Sequence, residues 1–526
     1  MNVTRRTGER LRFGRLTAVV AALGAVAAFG TGTAGAAPRA AAECSPHGPD
    51  FNGDRCADVA IADPDATVSG KARAGRINIV YGGAATAASL TQGQPGVGDA
   101  PEADDGFGTA VRAADLDGDG HADLVVGVPS ESVAGGDDAG VIQVIYGSAA
   151  GLGGGRPGLV LRQGAGGIGG TPEPGDRFGA AIAVNRTTVA DGAAPAVAFG
   201  SPGEDVGDVA DAGSAGVVTF DRRTGAVAAT ATITQNSTGI GGAAEAGDRF
   251  GAAVELFQGP GGFGCAVSGV RGLTLVAGAP GEDLGDRRDA GMLHLARDLA
   301  TDTPLSQDTP GVDGSAETGD QFGAALALSS YCEHDGPSHV RLAVGVPAED
   351  VGAAADAGMA HLFATDDDEL PLPQRWSATQ DAPDVADTAE AGDRFGAVLA
   401  VGGPWRDGFG EPVVAGVPGE DVGSAADAGA MHVFGDAAGT PGNGDVHLTQ
   451  SAAGAVPQPG DRFGAALTSR YDHLLSGAPD DATYDRGVVH GIAWPTVFGT
   501  PTPGPLFVPG RDGVPADAVR FGAGLA

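Results

Sequence analysis

From about residue 57 onward the chain alternates short apolar runs with longer stretches rich in Gly, Asp, Pro and Ser. The third repeat of this alternation reads FGAAIAV, PAVAFGSP, AGVVTFD and VAATATITQ between residues 178 and 235. Apolar runs this short, bounded by turn formers, predict strands rather than helices. The turn-rich segments between them predict four consecutive antiparallel strands, A to D.

The unit recurs. A Phe-Gly pair stands at Phe107, Phe178, Phe250, Phe322, Phe395, Phe463 and Phe521, at spacings of 71, 72, 72, 73, 68 and 58 residues. A triplet ending in Pro recurs at Pro64, Pro129, Pro202, Pro280, Pro347, Pro418 and Pro479. The two series are out of phase at the ends. The first Pro triplet has no Phe-Gly before it, and the last Phe-Gly has no Pro triplet after it. A linear stack gives no reason for such a split, whereas a closed ring shares one unit between its ends. The predicted fold is all-β: a seven-bladed β-propeller of four-stranded antiparallel blades. Its ring is closed by a C-terminal strand, residues 521–526, joining the N-terminal blade.

Phe-Gly, then Gly-Ala-Pro, with a DxDxDG loop between them, resembles the FG-GAP repeat of integrin α-subunit propellers and their secreted bacterial relatives. The resemblance covers residues 50–526. It implies calcium sites in the A–B loops and a partner met on the opposite face, without naming that partner.

Two segments carry the acidic pattern. They are Asp50, Asn52, Asp54, Cys56 and Asp58, and Asp115, Asp117, Asp119, His121 and Asp123. Side-chain oxygens at positions 1, 3, 5 and 9 and the backbone carbonyl of position 7 (Cys56, His121) suit a hard cation that takes six to eight oxygens. An EF-hand is excluded, since position 12 is Ile61 or Val126 where Glu is required, and strand-like runs flank the loops. The expected ion is Ca2+ in a scaffolding role, because crowded carboxylates repel one another without a cation.

Composition refines this picture. Residues 1–36 read as a secretory signal peptide, with Arg5, Arg6, Arg10, Arg12 and Arg15 ahead of an apolar run and Ala34-Gly35-Ala36. Residues 37–49 form a short N-terminal segment. The chain is expected to be secreted and extracellular, with no transmembrane segment. Net charge is −36, and loss of five Arg and one Glu with the signal leaves −40. That excess of acid argues against nucleic-acid binding. The four cysteines allow three pairings. Cys265 and Cys332 fall in the A–B loops of neighbouring blades, so a bridge between them is expected, leaving Cys44 to pair with Cys56.

On the other face, the B–C loops carry Glu204-Asp205, Glu282-Asp283, Glu349-Asp350, Glu420-Asp421 and Asp480-Asp481. The D–A loops carry Arg177, Arg249, Arg394, Arg462 and Arg520, with Gln321 breaking the run. Arg-to-acid ties along this rim are expected. His294, His361, His432 and His490 share one position of strand C. They lie on different blades, so a shared metal is excluded, and local hydrogen bonding is expected. No HExxH, GxSxG or phosphate loop is present. The sequence therefore favours a monomeric extracellular binding or adhesion module for a protein or glycan ligand. A polysaccharide- or ester-directed hydrolase or lyase, its site on a propeller face, is the alternative.

Overall fold

The computed structural model describes residues 44–526, apart from 84–86, 186–193, 259–271, 333–337, 367–369, 404–410, 436–444, 482 and 485. The expected signal peptide and the Cys265–Cys332 bridge lie outside the described residues. The strands form seven four-stranded antiparallel sheets, each joined in A-B-C-D order. Blade 2 is typical: Ala110–Ala114, Asp123–Val128, Val141–Ile145 and Leu159–Leu161. Strands B and C of this blade are buried along their whole length, as fits strands covered on both faces by neighbouring blades.

Blade 1 is built from both ends of the fold. Its strands B, C and D are Val59–Asp63, Arg76–Val80 and Ala87–Leu90, and its strand A is Gly524–Leu525. Ile61 pairs with Leu525 and Ala62 with Gly524. Ala60 and Ala526 exchange backbone hydrogen bonds of 2.9 and 3.1 Å. The closure is reinforced at the rim, where the buried Asp63 carboxylate accepts the Val519 and Arg520 amides at 3.0 and 2.9 Å. Arg76 donates two bonds to Asp517 across the same seam.

The core lies between blades. Val59, Ile61 and Val80 of blade 1 pack with Leu475, Val489 and Phe507 of blade 7 and with Phe521. All seven Phe-Gly phenylalanines are fully buried. The recurrence of two glycines has a geometric cause. A Cβ on Gly127, from the Pro triplet of blade 2, would collide with the carbonyl oxygen of Gly179, the Phe-Gly glycine of blade 3. The same clash joins Gly200 to Gly251, Gly278 to Gly323, Gly345 to Gly396, Gly416 to Gly464 and Gly477 to Gly522. The Phe-Gly glycines also hold φ between 81° and 98°, a left-handed region that penalises any side chain.

Removing the ring-closing aromatic should be costly. Phe521→Ala is expected to lower unfolding free energy by about 3–5 kcal/mol, read as a shift in the chemical-denaturation midpoint. A loss no larger than that of an exposed-site control would show that the ring does not depend on its closing strand.

Candidate functional site

The two acidic loops fold alike because the same oxygens cap the same amides. Asp50 accepts from Gly53 and Arg55, and Asp115 from Gly118 and Gly120. Asp58 spans from the Phe51 amide to the Gly82 amide, while Asp123 spans from Leu116 to Gly147, each bond 2.7 or 2.8 Å. Each position-9 aspartate therefore ties its loop to the end of strand C. Burial pushes both Asp58 and Asp123 up to about 7, against the pull of those amide bonds.

The loops also hold each other. The Asp50 carbonyl accepts from Ala122 at 2.8 Å, and the Phe51 carbonyl from Ser148 at 3.2 Å. The Cys44–Cys56 disulfide forms as expected and closes the chain onto the first loop. In the second loop, oxygens of Asp115, Asp117 and Asp123 lie within 4.8 Å of one another. Burial raises Asp117, and crowding by Asp119 and Asp115 adds to it. This half-buried acidic nest is chemistry suited to a hard cation. Arg156 supplies part of the compensation, 3.3 Å from Asp117. Asp119 faces the amide and ring of His121, at 2.8 and 3.0 Å. In the first loop Asn52 and Asp54 cap the amides of Asp54 and Cys56. The Cys56 sulfur is spent in the disulfide, which leaves its carbonyl as the atom it can offer.

Beside these loops a cavity of about 740 Å³ opens at the A–B end of the central channel. Aliphatic residues of the A strands, among them Leu256, Leu328 and Leu399, line its wall. Arg112, Glu255, Arg470 and the exposed Tyr471 stand among the lining residues, with the His47 ring tilted by 44° against Tyr471, centroids 4.3 Å apart. Sequence reasoning directed attention to the opposite face and did not find this concavity. Its residues come from A strands of different blades and carry no shared motif.

The opposite rim departs from expectation in its chemistry. Arg462 and Arg520 reach Asp480 at 3.3 and 3.2 Å, but Arg177, Arg249 and Arg394 are exposed and make no ion pair among the described residues. Their turns are left-handed, with φ of 56–58°. Glutamine makes the inter-blade tie instead. Gln92 donates to Glu131 at 2.6 Å, Gln307 to Glu349 at 2.7 Å and Gln450 to Asp481 at 2.8 Å. Gln163–Glu204, Gln235–Glu282 and Gln380–Glu420 repeat the pattern. Each glutamine stands two residues beyond a strand D and each acid lies in the next blade's B–C loop, a recurrence readable in the sequence. Three of the strand-C histidines bond within their blade as expected, His294 to Asp302, His361 to Gln374 and His432 to Asp445, whereas His490 meets Gln450 of the preceding blade at 3.5 Å.

One FG-GAP repeat family matches residues 107–145, the span from the Phe-Gly of blade 2 to the end of its strand C. No curated protein matches the chain. Among solved structures, the periplasmic gluconolactonase of Pseudomonas aeruginosa is similar at 13% identity and TM-score 0.41, over 88% of this chain and 99% of that one. A putative 6-phosphogluconolactonase of Bacteroides fragilis is similar at 12% identity and TM-score 0.40, over 89% and 97%. The exotype rhamnogalacturonan lyase YesX is similar at 12% identity and TM-score 0.36, over 90% and 68%. Overlap this loose carries no argument about chemistry.

The rim acids give a pH dependence of definite sign. Burial raises Glu349 to about 7, and Asp320 and Glu317 add to it. A carboxyl that holds its proton more tightly when folded contributes stability fully below its unfolded pKa. That contribution is lost as pH rises through the folded value. Thermal stability is therefore expected to fall between about pH 5 and 8, and Glu349→Gln, which keeps the shape of the neutral acid, is expected to flatten part of that fall. Unaltered pH profiles of melting temperature in the variant would contradict this.

Proposed function

Because the chain is an FG-GAP-repeat β-propeller, we propose that it is a secreted, calcium-stabilised module that binds an extracellular protein or glycan. The observation supporting this reading is the placement of the acidic loops. They are bonded to each other and to the ends of blades 1 and 2, so Ca2+ held by Asp50, Asn52, Asp54 and Asp58, and by Asp115, Asp117, Asp119 and Asp123, braces a seam. The carbonyls of Cys56 and His121 complete the two donor sets. The cavity beside them has an aliphatic wall and a mixed polar mouth, the composition of a small-ligand seat. Arg112, Glu255 and Tyr471 are the side chains assigned to ligand contact there.

Two measurements test the reading. Calcium at 100 times its Kd adds about 2.7 kcal/mol to folded-state stability, so the wild type is expected to melt higher in calcium than in chelator. Asp117→Ala is expected to lose much of that increment and to keep ligand capture. Glycan and protein arrays, run beside chromogenic glycoside and ester substrates, then locate the activity. Tyr471→Ala is expected to abolish capture and Asp205→Ala, on the opposite rim, to leave it intact. Equal melting temperatures with and without calcium would defeat the scaffolding role. Turnover lost with Tyr471→Ala or Glu255→Gln would favour the hydrolase or lyase reading.

A further inference from the structure

The two acidic loops differ at one ligand station. Position 3 is Asn52 in the first loop and Asp117 in the second. Asp50, Asp54 and Asp58 thus give the first loop three carboxylates, while Asp115, Asp117, Asp119 and Asp123 give the second loop four. The extra carboxylate has a cation of its own. Arg156 lies in the C–D loop of the same blade, between Val141–Ile145 and Leu159–Leu161. Its Nη1 stands 3.3 Å from Asp117 Oδ2. Arg470, beside the first loop, plays no such part. It bonds the Asp58 backbone carbonyl at 3.3 Å and pairs with Asp472. Among the described residues, no carboxylate of the first loop forms an ion pair.

Arg156 is held from the side of blade 3 as well. Nη1 donates to the Thr224 carbonyl at 2.6 Å, and the guanidinium lies 4.0 Å from the centre of the Tyr146 ring, within range of cation–π attraction. Thr224 belongs to the C–D hairpin of blade 3, between strands Ser214–Asp221 and Ala226–Ile233. The Tyr146 hydroxyl donates to Gly225 in the same hairpin at 2.7 Å. That hairpin walls the second loop. A Cβ on Gly118 would lie 2.5 Å from Arg222 Cγ, and one on Gly225 would lie 2.8 Å from both Arg156 Nη1 and Asp117 Cβ. The Asp117 side chain is 10% exposed, that of Arg156 41%. The arginine therefore covers a buried carboxylate from the solvent side, and it has room to withdraw.

A charged N–H to carboxylate bond is normally about 2.7–2.9 Å long, so the contact of Arg156 with Asp117 is loose. An Asp117 oxygen also lies within 4.8 Å of oxygens of Asp115 and Asp123, a cluster found nowhere else among the described residues. Calcium takes its oxygens at about 2.3–2.6 Å. An ion drawn in by these carboxylates brings its charge close to the guanidinium, and like charges at short range repel. Calcium affinity follows the charge that the ligands present, so an arginine that cancels part of that charge weakens the site. Without an ion, the same arginine relieves the mutual repulsion of the four carboxylates.

We propose that Arg156 is a built-in competitor for calcium at the second loop. It neutralises Asp117 while the loop is empty, yields it to the incoming ion, and so sets the affinity of that loop below what its four carboxylates would give. Its bond to Thr224 and its contact with Tyr146 keep the hairpin of blade 3 docked as Asp117 is given up. This role rests on the reading of the loops as calcium sites.

Calorimetric titration of calcium-stripped protein with Ca2+ tests it. Arg156→Met keeps the aliphatic stem over Tyr146 and removes the charge. One calcium step is expected to tighten about fivefold, with the gain shrinking as salt is added. Arg156→Lys keeps the charge and is expected to keep the native affinity. Asp117→Asn gives the second loop the side chain of the first. In that background Arg156→Met is expected to change affinity by less than about twofold. Should Arg156→Met fail to fold by circular dichroism, Arg156→Gln takes its place with the same expectation. Calcium affinity unchanged without the charge would overturn the competitor. So would a loss of affinity, which would make Arg156 a positioning residue for Asp117. Either result, with calcium still bound by the native protein, leaves the calcium sites standing; no calcium binding by the native protein would defeat both.

Discussion

Six of the seven seams of this ring rest on one close approach: the glycine of a Pro triplet lies against the carbonyl of the next blade's Phe-Gly glycine, with Ala62 of blade 1 standing where the other blades have glycine. Neither residue has room for a Cβ, so the spacing between blades is set by backbone rather than by side chains. The buried phenylalanine beside each contact fills the wedge that opens away from the axis. A ring packed this way leaves little tolerance for an opening, because each blade buries its B and C strands only if both neighbours are present. The short strand at Gly524–Leu525 matters for this reason. It adds few hydrogen bonds, but it brings Phe521 and Gly522 into the last seam.

Polar groups at the seams follow from that packing. Strands covered on both faces leave little solvent for the one acid of each B–C loop that faces the seam, so it takes a donor from the preceding blade. The glutamine just beyond strand D supplies it across the seam, a neutral donor bridging two blades. Arginine serves this purpose mainly around the closing blade, where Arg520 reaches both Asp65 and Asp480. The exposed arginines elsewhere occupy left-handed turns, and their backbone rather than their charge is used there. A buried carboxyl with an amide partner and acidic neighbours holds its proton tightly, which ties the rim's stability to pH.

Departures from the repeat mark where specific chemistry is built. Blades 1 and 2 carry paired aspartate loops that cap their own amides and dock on each other. The central cavity draws on still other positions, where the A strands of several blades converge. The ring is a uniform frame, and these substitutions alter it without disturbing the glycine seams.

The sequence by itself determined the architecture. Phe-Gly and Pro-triplet periodicity, and their mismatch at the two ends, specify seven blades and the closing strand, because both motifs answer to local backbone sterics repeated once per blade. The acidic loops were equally legible, since their cap bonds run between residues close in sequence, and the bond from Cys44 to Cys56 spans a short loop. What lies between blades was decided only by the fold. That glutamine rather than arginine holds the rim acids, and that the concavity opens beside the acidic loops, depend on residues 31 to 47 positions apart or on several strands at once. Such contacts are set by how one blade leans on the next, a quantity that no local pattern of hydrophobic and polar positions encodes.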